Sequence, residues 1–419
     1  MNFDVVIIGG GVAGISAALQ ISQEGYSYAL IEKSFFLGGK SLQLCCKASD
    51  RCNKCGACTA DHKIREIFKE SYNSFFMGSF VNRAEERDGN FILNVKRMPS
   101  GILSENCTKC GKCVEVCPVE GKAVNFPPFS SFPQIPFIDK EKCLRSFGNE
   151  CSKCADACKY AAIDYSQKEE ETEINAKTVV IAVGLEHFDP SQKSSYHYGI
   201  FKNIISGQEL EEKIRKEGVI VRPSDGEHPS SIAFIQCAGS RDPKNANPYC
   251  SQICCLFAMR SSLHIKEDLP DTRIKIFYMD LQADCKEEME IVERCKKSIE
   301  FERSMPGVIV EKEDGRIGLT YESLEKGKNI EEDFDLVVLS TGIAPSSSNR
   351  EIAELFGLEI DEAGFIKKLS PIDKTRTKNE KIFIAGGCEG PKNAVSSIMQ
   401  GIAAGRNAVT AIKRENKVA

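Results

Sequence analysis

Twenty of the 419 residues are cysteine, and most of them stand in short runs. The longest pair of runs is Cys107-x2-Cys110-x2-Cys113-x3-Cys117-Pro118 followed by Cys143-x7-Cys151-x2-Cys154-x3-Cys158. Gaps of two residues make a tight loop that wraps three thiolates around one iron–sulfur cubane. The fourth cysteine turns away at the proline and reaches a second cubane. Crossed pairing assigns one [4Fe-4S] cluster to Cys107, Cys110, Cys113 and Cys158. It assigns another to Cys143, Cys151, Cys154 and Cys117. The second run has a long first gap, and Lys159 stands where proline is expected, which reads as a small insertion. A zinc ribbon would use two C-x2-C pairs around one tetrahedral ion, and two complete four-cysteine runs argue against it.

Two further groups are less regular. Cys45-Cys46 precede Cys52-x2-Cys55-x2-Cys58. The triplet spacing favours another [4Fe-4S] cluster on Cys52, Cys55 and Cys58, with Cys46 or Cys45 as fourth ligand. A redox dithiol is the other reading. Cys237, Cys250, Cys254 and Cys255 could point several thiolates into one small space. Their spacing alone leaves a cluster and buried structural cysteines equally open. Cys285, Cys295 and Cys388 are isolated, and the first two are expected to pack or face solvent. No Ser-His-Asp or paired-carboxylate arrangement involves His62, His187, His197, His228 or His264. His62 is expected on the surface of a helix.

These thiols need elements to position them, and the N-terminus supplies the first. Residues 4–8 read as a buried parallel strand. Gly9-Gly10-Gly11-Val12-Ala13-Gly14 follows, then a helical run from Ile15 to Gln23. G-x-G-x-x-G between strand and helix lets the backbone approach a pyrophosphate at the positive helix end. The next strand, 28–31, ends in Glu32, placed to hold adenosine ribose hydroxyls, with Lys33 beside it. Gly38-Gly39 follow Glu32 at the distance seen where a chain turns back toward a flavin, which points to FAD rather than NAD. Ile382 to Gly387 reads as a second FAD segment, with Gly386 and Gly387 followed by Cys388 where an aspartate is usual. A helix from Ser397 to Ile412 follows. Strands ending at Gly184 and Gly342 read as the exits between an FAD domain and a middle domain. At the start of that middle domain, Ser231–Ser240 supplies a strand but no glycine array. Cys237 stands where a phosphate loop should begin, so direct reduction by a bound pyridine nucleotide is not expected.

Composition agrees with a globular redox protein. The 42% hydrophobic and 27% charged content is ordinary, and a net charge of -5 gives nucleic acid no basic footprint. No apolar run approaches the ~20 residues of a membrane span. No signal peptide is visible. A cysteine-rich chain of this length without one is expected in a reducing, cytoplasmic compartment rather than as a disulfide framework.

With these pieces in place the chain resembles the A-type subunit of heterodisulfide reductase along nearly its whole length. The strings "FPQIPFIDKEKC", "IVRPSDGEHPSSIAFIQCAGSRD", "YCSQICC", "KIFYMDLQADCKE", "GLEIDEAGF" and "IAGGCEGPKNA" carry the resemblance. It implies an α/β, thioredoxin-reductase-like flavoprotein with two dinucleotide-binding domains and an inserted bacterial-type ferredoxin domain. The expected divisions are 1–100, 168–228 and 335–419 for the FAD domain. The two-cluster insert takes 101–167, and the degenerate NAD(P)-type domain takes 229–334. The resemblance adds weight to a cluster at Cys237, Cys250, Cys254 and Cys255. It implies an oxidoreductase whose FAD exchanges electrons with the clusters inside a complex containing B- and C-type subunits and a donor or acceptor module. A homodimer within that complex is one arrangement. Bifurcation at the flavin is in doubt, because longer members carry cluster domains that this chain lacks. The Cys45–Cys58 patch also departs from the usual member. Lys392 is a candidate cation beside the flavin. Rival readings are a stand-alone thiol–disulfide reductase using the Cys45–Cys58 patch, a component of a quinone-interacting complex, and a scaffold whose flavin and clusters are structural.

Overall fold

The computed structural model describes residues 1–70, 74–245 and 247–418. The chain opens on β1 (Asn2–Ile8), fully buried from Val5 onward, and passes through the glycine turn into α1 (Val12–Gln23). β2 (Tyr28–Glu32) lies parallel to β1. The cysteine loop and α2 (Ala57–Glu66) follow, then β3 (Phe75–Met77) and the hairpin of β4 (Ser79–Arg87) and β5 (Asn90–Arg97).

The ferredoxin-like insert then leaves the sheet. Its elements are α3 (Lys112–Glu115), β6 (Val124–Asn125), β7 (Phe137–Ile138) and α4 (Lys153–Asp156), all very short. Its buried core is small and includes Ile102, Val124, Ile138, Cys117 and Cys154. β8 (Glu170–Ile181) returns to the first sheet, parallel to β1 on one side and antiparallel to β5 on the other. The strand order is β3-β2-β1-β8-β5-β4.

β9 (Leu185–His187) leads to β10 (Ile204–Ser206) and α5 (Gly207–Glu217). Ser206 and Glu209 form a reciprocal capping box that fixes where α5 begins. A βαβαβ run follows: β11 (Ser231–Ala238), α6 (Cys254–Asp268), β12 (Arg273–Phe277), α7 (Lys286–Cys295) and β13 (Glu300–Glu302). An antiparallel sheet of β14 (Val308–Glu311), β15 (Ile317–Ser323) and β16 (Lys328–Phe334) precedes β17 (Leu336–Thr341). The second sheet is parallel, in the order β10-β17-β11-β12-β13. β18 (Ile343–Pro345) pairs antiparallel with β9, so the two connections between the units run side by side. α8 (Ser348–Phe356), β19 (Ile382–Ile384) and α9 (Ala394–Val418) complete the first unit, with β19 pairing β8.

The expected divisions therefore differ from sheet membership at both crossings. β10 and α5 fall in 168–228 and β17 in 335–419, yet all three belong with the second sheet. β17 is apolar and lies between β10 and β11, with Val337 opposite Ile204 on one side and Ala233 on the other. An apolar strand buried on both faces reads alike in either sheet, and only its hydrogen-bonded neighbours assign it. Among the described residues no helix is long and apolar enough to cross a membrane.

The cysteine loop of the first unit is strapped to the second. Glu211 of α5 accepts the backbone N–H of Cys45 at 2.7 Å and pairs with Lys47, both side chains being buried. Arg260 donates to the Asn53 carbonyl at 2.8 Å, and His264 Nδ1 bonds the Ala48 carbonyl at 2.9 Å. Arg294 reaches Asn53 Oδ1 at 2.6 Å and Asp50 at 3.0 Å. Truncating one partner of a buried pair leaves the other charge uncompensated, at a cost of about 3–5 kcal/mol. Lys47→Ala is expected to lower the urea midpoint and speed amide exchange across residues 44–56. Unchanged exchange there would remove the pair from this role.

Candidate functional site

The glycine turn after β1 is built by close backbone approach. Gly9 adopts φ +106°, and its N–H bonds the Ile31 carbonyl at 2.8 Å. A Cβ on Gly14 would stand 1.9 Å from the Gly9 carbonyl oxygen, so only glycine fits there. Gly38 donates to the Gly10 carbonyl at 2.8 Å, tying the second glycine pair to the first turn. Glu32 accepts the N–H of Gly10 at 2.6 Å and of Ser34 at 2.7 Å. Each carboxylate oxygen keeps acceptor capacity for a further donor.

These residues open on a cavity of about 780 Å³. Gly9, Gly11, Val12, Ala13, Glu32 and Gly39 form its floor, and Gly184, Gly386, Gly387 and Lys392 close it from the other end of the first unit. Gly14 and Gly38 shape the turn from behind the wall, and Lys33 is exposed and off the lining. Cys388 does not enter the cavity either. Its thiol is buried and bonds the carbonyls of Ala385 at 3.2 Å and Ile181 at 3.4 Å. The Lys392 ammonium bonds the Gly386 carbonyl at 2.9 Å and Gln400 Oε1 at 2.6 Å, and it pairs with Glu389. It is a clamped, neutralised cation. His62 is 72% exposed beside Glu66, as expected of a helix-surface residue.

The same cavity continues between the two units. Lys40, His187, Lys47, Glu211 and Arg260 line that extension, and no motif marked them. Burial, with Lys40 nearby, pushes the His187 imidazole down to about 4, so the ring is neutral near pH 7. The extension reaches Cys55 of the N-terminal loop and Cys254 at the start of α6.

The structure brings two of the four cysteine sets to a common pocket each. Cys107, Cys110, Cys113 and Cys158 line one pocket in the insert, which is the crossed set. Cys117 and Cys154 are buried in the core of the same insert, which Cys143 packs against. Cys151 is partly exposed. Cys237, Cys250, Cys254 and Cys255 line a third pocket. In the N-terminal loop Cys45 is buried, Cys55 partly exposed, and Cys46, Cys52 and Cys58 exposed. Among the described residues no three His, Cys, Asp or Glu side chains could hold a single metal ion. Two of the sets, Cys107/Cys110/Cys113/Cys158 and Cys237/Cys250/Cys254/Cys255, instead each line a small pocket.

The electrostatics differ from one quartet to another. The backbone N–H of Lys112 holds the exposed Cys110 thiol below the ordinary range. Burial, then neighbouring thiols, pushes Cys237 up to about 12 and raises Cys254 well above its usual value. Cys295 is buried and Cys285 exposed.

Comparison with known proteins follows this division. A family model described as FAD dependent oxidoreductase matches residues 4–109, and one described as 4Fe-4S binding domain matches residues 102–121. The structure resembles thioredoxin reductase from T. acidophilum, with a TM-score of 0.52 at 14% identity, covering 99% of each chain. Lactococcus lactis thioredoxin reductase gives 0.51 at 16% identity, covering 98% of this chain and 99% of that one. At such identities the likeness concerns the fold, which is thioredoxin-reductase-like. In sequence, the chain is 34% identical to the A-type subunit of the H(2):CoB-CoM heterodisulfide,ferredoxin reductase of Methanothermobacter marburgensis, over 99% of this chain and 64% of that one. It is 37% identical to the second of the iron-sulfur A-type subunits of CoB--CoM heterodisulfide reductase in Methanopyrus kandleri, over 97% and 64%. The corresponding iron-sulfur protein of Methanocaldococcus jannaschii gives 35% identity, over 94% and 62%. The chain thus spans less than two thirds of these relatives' own length. Over the part that it spans, it is a homologue of the A-type subunit of heterodisulfide reductase.

Proposed function

We propose that this chain is the flavin- and iron–sulfur-containing electron-transfer subunit of a heterodisulfide-reductase-like complex. One observation carries the reading: a single cavity runs from the dinucleotide turn to Cys55 on one side and Cys254 on the other. FAD suits the first part of that cavity, because Gly9, Gly11 and Glu32 line it beside the N-terminus of α1, with open space around Gly11. When bound, FAD converts between two-electron and one-electron exchange.

The protein's residues have separable tasks. The turn and the N-terminus of α1 hold the pyrophosphate, and Glu32 takes the ribose hydroxyls while keeping the Gly10 N–H. Lys392, held by Glu389, Gln400 and the Gly386 carbonyl, fixes the segment at Gly386 and Gly387 in the cavity wall. Cys254, buried at the start of α6, forms the far wall of the same cavity. Cys107, Cys110, Cys113 and Cys158 would hold one cluster, and Cys117, Cys143, Cys151 and Cys154 a second. Cys237, Cys250, Cys254 and Cys255 would hold a third. A fourth would sit on Cys52, Cys55 and Cys58 with Cys45 or Cys46. Two cysteine groups opening on one cavity offer two electron exits, the arrangement that bifurcation would need. The relatives are named for heterodisulfide and ferredoxin, and partner subunits would supply those sites here.

A second reading uses Cys55 as part of a dithiol that a flavin reduces directly, since this thiol lines the cavity. Iron content separates the two. In anaerobically purified protein, Cys254→Ser and Cys55→Ser should each lower bound iron by about four atoms per chain, with flavin retained. Iron unchanged in Cys55→Ser would favour the dithiol, and iron unchanged in Cys254→Ser would remove the third cluster. Glu32→Ala should weaken FAD binding about tenfold, a loss of about 1.4 kcal/mol, read from flavin fluorescence released on dilution. After iron removal, Cys110 should alkylate first at pH 7–8, because its thiolate is the nucleophile and its pKa is lowered. Cys254 should stay unmodified there, its pKa being raised by burial. Mass spectrometry of the labelled peptides reads both.

A further inference from the structure

The pocket lined by Cys237, Cys250, Cys254 and Cys255 also carries a charged pair in its wall. Arg241 donates from Nη1 to Asp280 Oδ1 at 2.6 Å. The two come from the ends of neighbouring strands, Arg241 just after β11 and Asp280 just after β12. Each is fixed by further bonds. The Arg241 backbone N–H donates to the Tyr249 carbonyl at 2.9 Å. Gln282 Nε2 donates to Asp280 Oδ1 at 3.2 Å, and the Asp280 carbonyl accepts the Cys255 thiol at 3.6 Å. Arg303, anchored to the Met279 carbonyl at 3.1 Å, is the other cation whose field reaches Asp280.

The position of the pair matters. Gln252, Ile253 and Cys254 line both this pocket and the large cavity, whereas Arg241 and Asp280 line the pocket alone. The pair therefore stands on the wall not shared with the cavity. Both thiols that flank it, Cys237 and Cys255, feel the guanidinium and the carboxylate with opposite sign. The pair is partly exposed, at 32% and 43%, so solvent and salt screen it without cancelling it.

We propose that Arg241, oriented by Asp280, sets the reduction potential of the cluster assigned to Cys237, Cys250, Cys254 and Cys255. This rests on the cluster assignment made above. A cluster held there would gain one negative charge on one-electron reduction, with no bond or proton moved, and the fixed guanidinium would stabilise that charge. Asp280 holds the guanidinium in place and tempers its effect. Arg241 is a positioning residue for charge and has no part in ligation.

The test is a set of four proteins: the wild type, Arg241→Gln, Asp280→Asn and the double variant. Each is titrated anaerobically as the complete protein, following the electron paramagnetic resonance signal that Cys254→Ser abolishes. Arg241→Gln should shift the equilibrium toward the oxidised cluster about tenfold, or ~59 mV downward for a one-electron couple. Asp280→Asn should move it the opposite way, and the double variant should return close to the wild-type value. Signals from the insert should not move. Single variants that both shift in one direction, or that leave a retained signal unmoved, would overturn the charge role. If Cys254→Ser abolishes no signal and iron is unchanged, the cluster assignment itself fails, and this inference with it.

Discussion

Backbone must touch backbone where the first unit is built, and glycine is the residue that permits it. A Cβ on Gly14 would stand 1.9 Å from the Gly9 carbonyl oxygen, and one on Gly401 would stand 2.2 Å from that of Ala13. Gly405 would meet Ala17 in the same way, at 2.7 Å. α1 is thereby pinned from both sides, against the turn it leaves and against α9 across the core. Ile15, Ala17, Ala404 and Ala408 fill the resulting seam. Gly386 and Gly387, which line the large cavity, are packed as closely, against Ala13 and Leu185. Burial of apolar surface drives the assembly, and the missing side chains decide where a ligand can enter.

A second constraint works between the units. Lys47 and Glu211 are both buried, and taking two charges out of water offsets much of what their attraction gives. Such a pair adds little to stability but fixes one arrangement of the cysteine loop. Arg260, His264 and Arg294 repeat the pattern with backbone carbonyls and Asn53 as acceptors. The loop that carries Cys55 is thus a wall of the cavity. Without this strap the dinucleotide turn and the two cysteine groups would be separate features of two units.

The insert behaves differently. Its elements are two to four residues long and its buried core is small. Chains that short do not hold their shape by apolar burial alone, and in small domains bound metal commonly supplies the rest. On the cluster assignment proposed above, the insert's cysteines would supply order as well as electron transfer, in contrast with the two sheet-based units.

Much of this protein is local in origin and legible in the chain itself. The turn at Gly9–Gly14, the acidic end of β2 at Glu32 and the crossed grouping of Cys158 with Cys107, Cys110 and Cys113 follow from residue type and spacing. Each involves neighbours in the chain or a pattern whose period is fixed by the chemistry. The remainder emerged only on folding. Tertiary packing took β10 and β17 into the second sheet, turned Cys388 into the core, left Lys33 in solvent and neutralised Lys392 with Glu389. It also brought Lys40, Lys47, His187, Glu211 and Arg260 to one cavity. The physical reason is common to these cases. A single polar side chain carries no periodicity, and an apolar strand reads the same in either sheet. Which partner each one meets depends on contacts between segments far apart in the chain, formed only when the two units close on the cysteine loop.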